Sequence, residues 1–236
     1  MSDSIVIIPT YNEKENVEAI VRAVFAQPQP FHVLIVDDGS PDGTAQIVRD
    51  LQATEFAGRL HLLERSGKLG LGTAYIAGFR WGLERDYDYF FEMDADFSHN
   101  PDDLPRLLAK CRDEGADVAV GSRYCRGGQV VNWPLDRIIL SRGASLYTSL
   151  ILWMPVADPT AGFICYRRKV LETMNLDNIK FIGYAFQIEM KYTAHRLGFK
   201  VKDVPITFKD REKGQSKMSL NIIQEAMLGV LQMRFR

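Results

Sequence analysis

The sequence has few cysteines and almost no net charge. Its three cysteines among 236 residues, Cys111, Cys125 and Cys165, form no Cys-x-x-Cys pair and no disulfide framework. This usage fits a reducing, cytosolic compartment best. The formal net charge of −1 argues against nucleic-acid binding, although residues 200–236 contain eight Lys or Arg against four Asp or Glu. A hydrophobic content of 46% with 25% charged residues predicts a soluble globular protein.

The sequence also lacks a long uninterrupted apolar segment. Its most apolar region, residues 138–156, is broken by Ser141, Arg142 and Pro155, so no membrane-spanning helix is predicted. Ser4 leads directly into a strand pattern, and no signal peptide is expected. Nothing in the middle of the chain resembles a linker, so we expect a single domain over residues 1–236.

Two common phosphate-binding motifs are absent. The segment Gly67-Lys68-Leu69-Gly70-Leu71-Gly72 is not a Walker loop, because no glycine stands at the required upstream position and no Ser or Thr follows Lys68. It is not a dinucleotide fingerprint either, since that motif belongs after the first strand. Two interpretations stay open for this segment: a flexible stretch near a ligand, or an ordinary turn.

Strand and helix patterns alternate along the first half of the chain. Each strand pattern is followed by a polar turn and an amphipathic segment, and this alternation predicts a doubly wound α/β fold with a mostly parallel sheet. Asn12 and Glu15 are spaced as a capping box for the first helix, and we interpret Asp42 as a cap of the second. The predicted strands lie at 5–8, a continuous β-branched run, and at 32–36, 60–63 and 117–120, with a further apolar run at 89–93.

That apolar run stops at two carboxylates, Asp94 and Asp96. Because side chains alternate along an extended chain, both carboxylates point the same way, at the carboxyl edge of the sheet where ligands usually bind. Their mutual repulsion would be relieved by a hard divalent cation, and Mg²⁺ characteristically takes one or two carboxylates together with substrate phosphates. The alternative is that they cap the helix that Asn100-Pro101 begins.

Taken together in this order, seven motifs resemble those of family 2 glycosyltransferases of the GT-A fold, and more narrowly those of the dolichyl-phosphate or polyprenyl-phosphate mannose synthases. The resemblance covers nearly the whole chain. The motifs are Pro9-Thr10-Tyr11-Asn12-Glu13, Asp37-Asp38-Gly39-Ser40-Pro41-Asp42-Gly43-Thr44, Lys68-Leu69-Gly70-Leu71-Gly72-Thr73-Ala74-Tyr75, Met93-Asp94-Ala95-Asp96, Gly121-Ser122-Arg123-Tyr124, Ser141-Arg142-Gly143-Ala144, and Asp210-Arg211 with Gly214 and Ser216-Lys217.

The resemblance implies that the sugar donor is GDP-mannose and the cofactor Mg²⁺ or Mn²⁺. Asp94 and Asp96 would be the metal ligands, with Asp96 the principal one, and some relatives carry a Gln where this chain has Ser98. Carboxylates suit the N–H groups of guanine and the ribose hydroxyls, and Tyr11 could stack on a base. Glu13 could instead compensate a helix dipole. The implied donor-binding residues are Pro9, Tyr11, Glu13, Val36, Asp38, Asp94, Ala95, Asp96, Arg211 and Lys217.

The resemblance also implies an acceptor that is a polyprenyl or dolichyl monophosphate, bound by Arg123, Arg137 and Ser141. A phosphate monoester is already ionised at neutral pH, so it can attack the anomeric carbon without a general base and with inversion. Catalysis would then rest on Asp96, Arg123 and Arg211. A surface salt bridge is the alternative for Arg137, and Asp158 could be either a base or a residue that caps a loop.

Two apolar helices, at residues 134–153 and 219–236, could meet the lipid or could bury their faces in the core. The second follows a basic segment, which is typical of a helix on an anionic membrane surface. We therefore expect a peripheral protein on the cytoplasmic face of a membrane, with a small membrane-anchored partner subunit as an option. Residues 1–125 would bind the nucleotide sugar, 126–218 the acceptor, and 219–236 the membrane surface.

Other functions remain open on the sequence alone. A sister enzyme could move glucose from UDP-glucose to the same lipid phosphate, or a family 2 transferase could act on a soluble acceptor. Val36-Asp37-Asp38 resembles the acidic pocket of a non-catalytic receiver module, although such modules are about half this length. A catalytically inactive nucleotide-sugar binder is the last alternative.

Overall fold

The computed structural model describes residues 2–210 and 220–235, with side chains described from residue 227 onward in the second range. The strands are β1 (Ser4–Thr10), β2 (His32–Asp37), β3 (Leu60–Glu64), β4 (Tyr89–Glu92), β5 (Val118–Ser122), β6 (Gln129–Val131), β7 (Ile164–Arg167), β8 (Val201–Pro205) and β9 (Thr207–Lys209). The α-helices are α1 (Val17–Phe25), α2 (Thr44–Thr54), α3 (Leu71–Leu83), α4 (Leu104–Arg112), α5 (Leu135–Leu152), α6 (Arg168–Thr173), α7 (Tyr184–Arg196) and α8 (Leu220–Arg234). Short 3₁₀ helices lie at Pro101–Asp103 and Leu176–Asn178.

The central sheet has seven strands in the order β3-β2-β1-β4-β7-β5-β8. Every neighbouring pair is parallel except the two that β7 makes with β4 and β5. The predicted mostly parallel α/β sheet is therefore confirmed, while the antiparallel insertion of β7 lay outside the predicted pattern. Strands β6 and β9 form a second, two-stranded parallel sheet.

Strand β1 explains why the sheet has helices on both faces. Its residues 5–8 are all fully buried, and alternation sends them to two separate cores. Ile5 and Ile7 pack with Phe79 of α3, whereas Val6 and Ile8 pack with residues of α1 and α4. A continuous apolar run is what a strand covered on both faces requires.

The predicted capping box at Asn12 and Glu15 is wrong. Helix α1 begins only at Val17, and Asn12 has a left-handed φ of 60°. The backbone N–H groups of residues 12–14 donate instead to the next loop along the sheet edge, at Ser40, Thr44 and Asp42. In a capping box, the N–H of Asn12 would donate to the Glu15 side chain. Here it donates to Ser40, in a tertiary hydrogen bond.

Helix α5 has its polar and apolar faces reversed. Its buried residues are Ser145, Thr148 and Leu152. Its outer face carries Asp136 and Arg142 but also many exposed apolar side chains, at Leu135, Ile139, Leu140, Leu146, Leu150 and, just beyond the helix, Trp153. A helix packed on a soluble core normally shows the opposite arrangement.

Helix α8 lies against α5, where the Tyr147 hydroxyl donates to the backbone oxygen of Met227 at 3.2 Å. Val230 and Met233 enter the core, while Met227, Leu228, Leu231 and Phe235 are exposed. We call the exposed apolar residues of α5 and α8, with Trp153 and Phe235, the outer apolar face. No helix within the described residues is both long and apolar enough to span a bilayer.

Candidate active site

The site lies at the carboxyl edge of the sheet, where β1, β2 and β4 end side by side. Parallel strands bring their following loops together at one edge, so the Pro9–Glu13, Asp37–Thr44 and Asp94–His99 segments meet there. The sheet order thereby joins motifs that are far apart in the sequence.

Asp37 holds the loops after β1 and β2 together. Its carboxylate is almost fully buried and accepts hydrogen bonds from Thr10 Oγ1 at 2.9 Å, Ser40 N at 2.8 Å and Ser40 Oγ at 2.6 Å. Ser40 Oγ in turn accepts from the N–H of Asn12 at 2.9 Å. The predicted cap of α2 at Asp42 is wrong by one residue, because Gly43 occupies the N-cap position; Asp42, just before it, accepts from Thr44 N at 3.0 Å. The two loops form one preorganised unit.

Asp38, a predicted nucleoside ligand, is held by an arginine that sequence reasoning missed. Arg65 donates to its two carboxylate oxygens at 2.6 and 2.8 Å, and to Thr73 Oγ1 at 2.9 Å. Both partners of this bidentate pair are about nine-tenths buried, with side-chain exposures of 10% and 8%. Arg65 therefore connects the loop after β2 to the first turn of α3.

The remaining predicted nucleoside residues differ in what their side chains can reach. Val36 is fully buried within the sheet beside Pro9, so only its backbone can face a ligand. Tyr11 is half-buried, with Lys68 Nζ lying 5.0 Å from the centre of its ring. Glu13 is half-buried and accepts from Asn16 Nδ2 at 2.9 Å. Lys68 thus brings the glycine segment against Tyr11.

The glycine segment is docked rather than loosely attached. A side chain at Gly72 would begin 2.7 Å from the ring of Phe186, so only glycine allows α3 to approach α7 this closely. The N–H of Gly72 donates to the backbone oxygen of Ile182 at 2.9 Å.

Asp94 and Asp96 follow β4 in a short turn, and both are partly exposed. The Tyr75 hydroxyl lies 3.4 Å from Asp94 Oδ1, and the N–H of Asp94 donates to His99 Nδ1 at 3.1 Å. Asp96 Oδ1 accepts from the N–H of Ser98 at 3.1 Å. Asn100, not either aspartate, caps the following 3₁₀ helix, so the cap alternative for the pair is wrong.

The donor set of this turn fits a hard divalent cation. Asp94 has a side-chain exposure of 41%, and carboxylate oxygens are the ligands that Mg²⁺ and Mn²⁺ prefer. Among residues 2–210 and 220–235, no cluster of three His, Cys, Asp or Glu side chains could hold a metal. Two carboxylates alone leave coordination positions for water and phosphate oxygens, which is the usual arrangement for Mg²⁺ at a phosphate site.

Ionisable groups are buried beneath the turn. Burial, with the charges of Asp94 and Glu92 adding to it, raises the pKa of Tyr75 well above its ordinary value, so Tyr75 remains a hydroxyl donor. Burial raises the pKa of Glu92 to about 8, opposed by the charge of Lys191. Burial also lowers the pKa of Lys191 to about 7, opposed by Glu92. Lys191 Nζ donates to the backbone oxygen of Ala161 at 2.6 Å.

Arg123, predicted to bind the acceptor phosphate, is paired with Asp158. Its Nε and Nη2 donate to the two carboxylate oxygens at 2.6 and 2.8 Å, and Nη2 also donates to Thr160 at 2.8 Å. Asp158 is fully buried and Arg123 nearly so. Although burial opposes the change, Arg123 lowers the pKa of Asp158, which therefore stays ionised. Asp158 holds Arg123 and its loop, which favours the loop-holding interpretation over a catalytic base.

The other predicted acceptor residues lie at the N-terminal end of α5. Arg137 Nη1 donates to Asp210 Oδ1 at 3.0 Å, and its guanidinium carbon lies 3.8 Å from the centre of the Trp133 ring. Ser141 Oγ accepts from the Tyr124 hydroxyl at 2.7 Å. The ion-pair alternative for Arg137 is thus observed, with the pair part-exposed. Arg211 and Lys217 lie outside the described residues.

A parallel sheet whose carboxyl edge carries an Asp-x-Asp turn beside two interlocked loops is the arrangement of a GT-A glycosyltransferase. The profile of the family described as "Glycosyl transferase family 2" matches residues 5–174, and the chain belongs to that family. It is 48% identical to polyprenol monophosphomannose synthase of Mycolicibacterium smegmatis over 99% of this chain and 87% of that protein. It is also 48% identical to undecaprenyl-phosphate mannosyltransferase of Micrococcus luteus, over 95% of this chain and 90% of that one.

Solved structures share the fold at low sequence identity. Glucosyl-3-phosphoglycerate synthase of Mycobacterium tuberculosis, solved with Mn²⁺ and UDP, superposes with a TM-score of 0.70 at 17% identity, covering 98% of this chain and 80% of that one. Mannosyltransferase PcManGT of Pyrobaculum calidifontis, solved with GDP-Man and Mn²⁺, gives 0.64 at 17% identity, covering 98% and 69%. Both of these solved structures contain Mn²⁺.

Proposed function

We propose that this protein transfers mannose from GDP-mannose to a polyprenyl monophosphate, with inversion, giving polyprenyl-phosphate mannose and GDP. The observation that carries the proposal is the Asp94 and Asp96 pair at the carboxyl end of β4, beside the interlocked loops of β1 and β2. The high identity to two relatives named for mannose transfer to polyprenyl acceptors supports the choice of sugar and acceptor.

The donor would lie across these loops. Tyr11, Glu13 and Asp38 are the side chains that bind the nucleoside, with Pro9 and Val36 contributing their backbone and Ala95 lying beside the sugar. Asp94 and Asp96 would hold Mg²⁺ or Mn²⁺, which supplies positive charge to a departing diphosphate when bound. Tyr75 orients Asp94 through its hydroxyl. Arg65 fixes the direction of the Asp38 carboxylate through two hydrogen bonds.

The acceptor phosphate would be bound between Arg123, Arg137 and Ser141. Each arginine has a carboxylate partner, but the pair of Arg123 with Asp158 is buried whereas that of Arg137 with Asp210 is part-exposed; we therefore assign the direct ionic contact to Arg137, and Arg123 shapes the pocket wall. A monoester dianion needs no general base, so catalysis consists of positioning and charge neutralisation. Arg211 and Lys217 complete the neutralisation of GDP in this proposal.

The outer apolar face would rest on the membrane that contains the polyprenyl chain. Its exposed Leu, Ile, Met, Trp and Phe side chains would otherwise meet water, and Arg137 and Ser141 lie in the first two turns of α5. This makes the protein peripheral, on the cytoplasmic side where nucleotide sugars are available. A small membrane-anchored partner subunit is compatible with the same face.

The decisive experiment measures transfer of labelled mannose from GDP-mannose to a short polyprenyl phosphate with Mg²⁺ or Mn²⁺. We expect labelled product in the organic phase, lost without metal. Product from UDP-glucose alone would overturn the sugar assignment and keep the site. Product only with a water-soluble acceptor would overturn the lipid assignment.

Membrane contact is tested separately by co-sedimentation with vesicles containing anionic phosphatidylglycerol. Leu146→Gln combined with Leu150→Gln should weaken binding by about tenfold or more, because two exposed apolar side chains lose their transfer free energy. The unfolding midpoint should not change, since both residues are exposed. Undiminished sedimentation of the double variant would contradict the assignment of this face.

A further inference from the structure

His99 lies directly behind the Asp94 and Asp96 turn. Its imidazole is only 3% exposed and stacks on Phe163, with ring centres 4.9 Å apart and an interplanar angle of 14°. The ring of Phe208 meets it edge-on at 5.6 Å. Two aromatic neighbours therefore fix the plane of the imidazole.

The ring acts on the turn through one hydrogen bond. His99 Nδ1 accepts from the N–H of Asp94 at 3.1 Å, and an accepting Nδ1 carries no proton, so the ring is the Nε2–H tautomer. The imidazole is thus a hydrogen-bond acceptor for the backbone that carries a carboxylate.

This bond closes a turn whose backbone is otherwise unfavourable. Phe97, between Asp96 and Ser98, has a φ of 61°, a left-handed value that a bulky side chain rarely adopts. Such a conformation persists only where surrounding contacts hold it. The bond from Asp94 to His99 spans the turn, and the Ser98 N–H donates to Asp96 inside it. Together the two bonds tie down the backbone between the two carboxylates.

His99 also connects this turn to the acceptor side. Phe163 belongs to the loop that carries Asp158 and Thr160, the partners of Arg123. Phe208 lies in β9, and the Arg123 guanidinium carbon is 5.4 Å from the centre of its ring. The imidazole therefore contacts elements of both substrate sides.

We propose that His99 is a positioning residue for the divalent-cation site: by accepting the Asp94 N–H, it holds the Asp94 and Asp96 carboxylates at the spacing that binds the metal. The inference rests on the proposed function, because it takes these carboxylates as the metal ligands. Groups that orient metal ligands typically change metal affinity by about 10- to 100-fold when removed.

The test separates the hydrogen bond from the aromatic packing. His99→Asn keeps an acceptor, since the amide oxygen occupies the position of Nδ1, but loses the stacked ring. His99→Phe keeps a ring and loses the acceptor. Phe163→Leu removes the stacking partner and leaves the hydrogen bond. The readout is Mn²⁺ binding in the presence of GDP, followed by the electron paramagnetic resonance signal of free Mn²⁺.

We expect His99→Phe to raise the Mn²⁺ dissociation constant at least about tenfold, with His99→Asn and Phe163→Leu within about threefold of wild type. The unfolding midpoint should order the variants differently, because His99→Asn and Phe163→Leu lose the packing. In the transfer assay, His99→Phe should raise the KM for Mn²⁺ and leave kcat at saturating Mn²⁺ nearly unchanged. Metal affinity that follows the unfolding midpoint instead would overturn the proposal.

The controls keep every outcome informative. His99→Leu replaces His99→Phe if circular dichroism shows that the latter does not fold. If neither acceptor-free variant folds, a tenfold loss of Mn²⁺ affinity in folded His99→Asn still rejects the role of the acceptor. Wild type that binds no Mn²⁺ with GDP would reject the proposed function itself, whereas wild-type binding with unchanged variants would reject only the role of His99.

Discussion

Helices α1 and α5 place their side chains in opposite ways. In α1, the apolar Val17, Ile20, Val21 and Val24 are fully buried. In α5, Ser145 and Thr148 are buried while Ile139, Leu146 and Leu150 are more than 60% exposed. Helix α1 is therefore held by burial of apolar area, whereas α5 combines the buried Leu152 with polar contacts such as Ser145 Oγ with Thr160 Oγ1 at 3.1 Å.

The comparison shows that a helix amphipathic in sequence need not turn its apolar face inward. The outer face of α5 contributes little to the free energy of folding. Its amino-acid composition is therefore set by the surface that covers it, not by the core. Polar interactions hold the structure together in two places, at the strand ends and beneath α5. The following predictions test this division, beginning with the largest effect.

Asp96→Asn should reduce mannose transfer by roughly a thousandfold. Removing one charge from the Asp94 and Asp96 pair weakens both cation binding and neutralisation of the leaving group. Asp102→Asn is the matched control, since Asp102 is an exposed carboxylate in the following 3₁₀ helix. Initial rates at fixed Mn²⁺ measure both. Similar losses of transfer rate in the two variants would mean that Asp96 is not a metal ligand.

The same substitution in each helix tests the comparison most directly. Ile20→Gln in α1 should lower the free energy of unfolding by about 3–4 kcal/mol, because a fully buried apolar side chain is replaced by an amide without a partner. Ile139→Gln in α5, where the side chain is 63% exposed, should change it by less than about 0.5 kcal/mol. Urea unfolding measures both, and equal costs would contradict the reversed orientation of α5.

Asp158→Asn should lower the free energy of unfolding by about 3 kcal/mol, because it leaves the buried charge of Arg123 uncompensated beneath α5. Asp210→Asn, which breaks the part-exposed pair with Arg137, should cost less than about 1 kcal/mol. Chemical denaturation of the two variants gives the difference. A small cost for Asp158→Asn would mean that this pair does not anchor α5.

The smallest effect concerns acid stability at the opposite end of the sheet, where Tyr87 lies between His32 and His61. Burial lowers the pKa of His61 from 6.5 to about 4, with the charges of His32 and Arg85 adding to it. The folded value lies below the unfolded one, so this stability is complete above pH 6.5 and is lost as the pH falls through 4. After discounting for solvent screening of a half-buried ring, the loss is about 1 kcal/mol.

His61→Gln tests this contribution, because glutamine does not titrate. Urea unfolding of both proteins, measured above pH 6.5 and again near pH 4, should show the wild type losing about 1 kcal/mol more than the variant. Parallel pH profiles would place the acid-labile group elsewhere.

The order of strands and helices in the first half could be predicted from the sequence, because alternating apolar runs and polar turns are local signals. The position of the Asp94 and Asp96 pair at a strand end followed from the same signals. The failed capping box at Asn12 has a non-local cause, since the partners of that loop, Ser40 and Thr44, are about 30 residues away. No local pattern reports such contacts.

Arg65, Tyr75 and His99 could not be assigned for the same reason. Arg65 meets Asp38 across 27 residues, and Tyr75 meets Asp94 across 19. His99 is only five residues from Asp94, but its hydrogen bond depends on the left-handed turn at Phe97, which no local sequence pattern predicts. The direction of the α5 apolar face was also open, because periodicity identifies a face without saying what it meets.

In α5, the residues that face outward can change independently of the residues that stabilise the fold. Substitutions on its outward side can accumulate without endangering folding, because the residues that secure the helix lie on the other side. A lineage could therefore retune that surface for a bilayer of different thickness or headgroup composition while leaving the strand-end site untouched. Because the outward residues of α5 are separate from those that secure the helix, a protein engineer can redesign this surface in one round of mutagenesis.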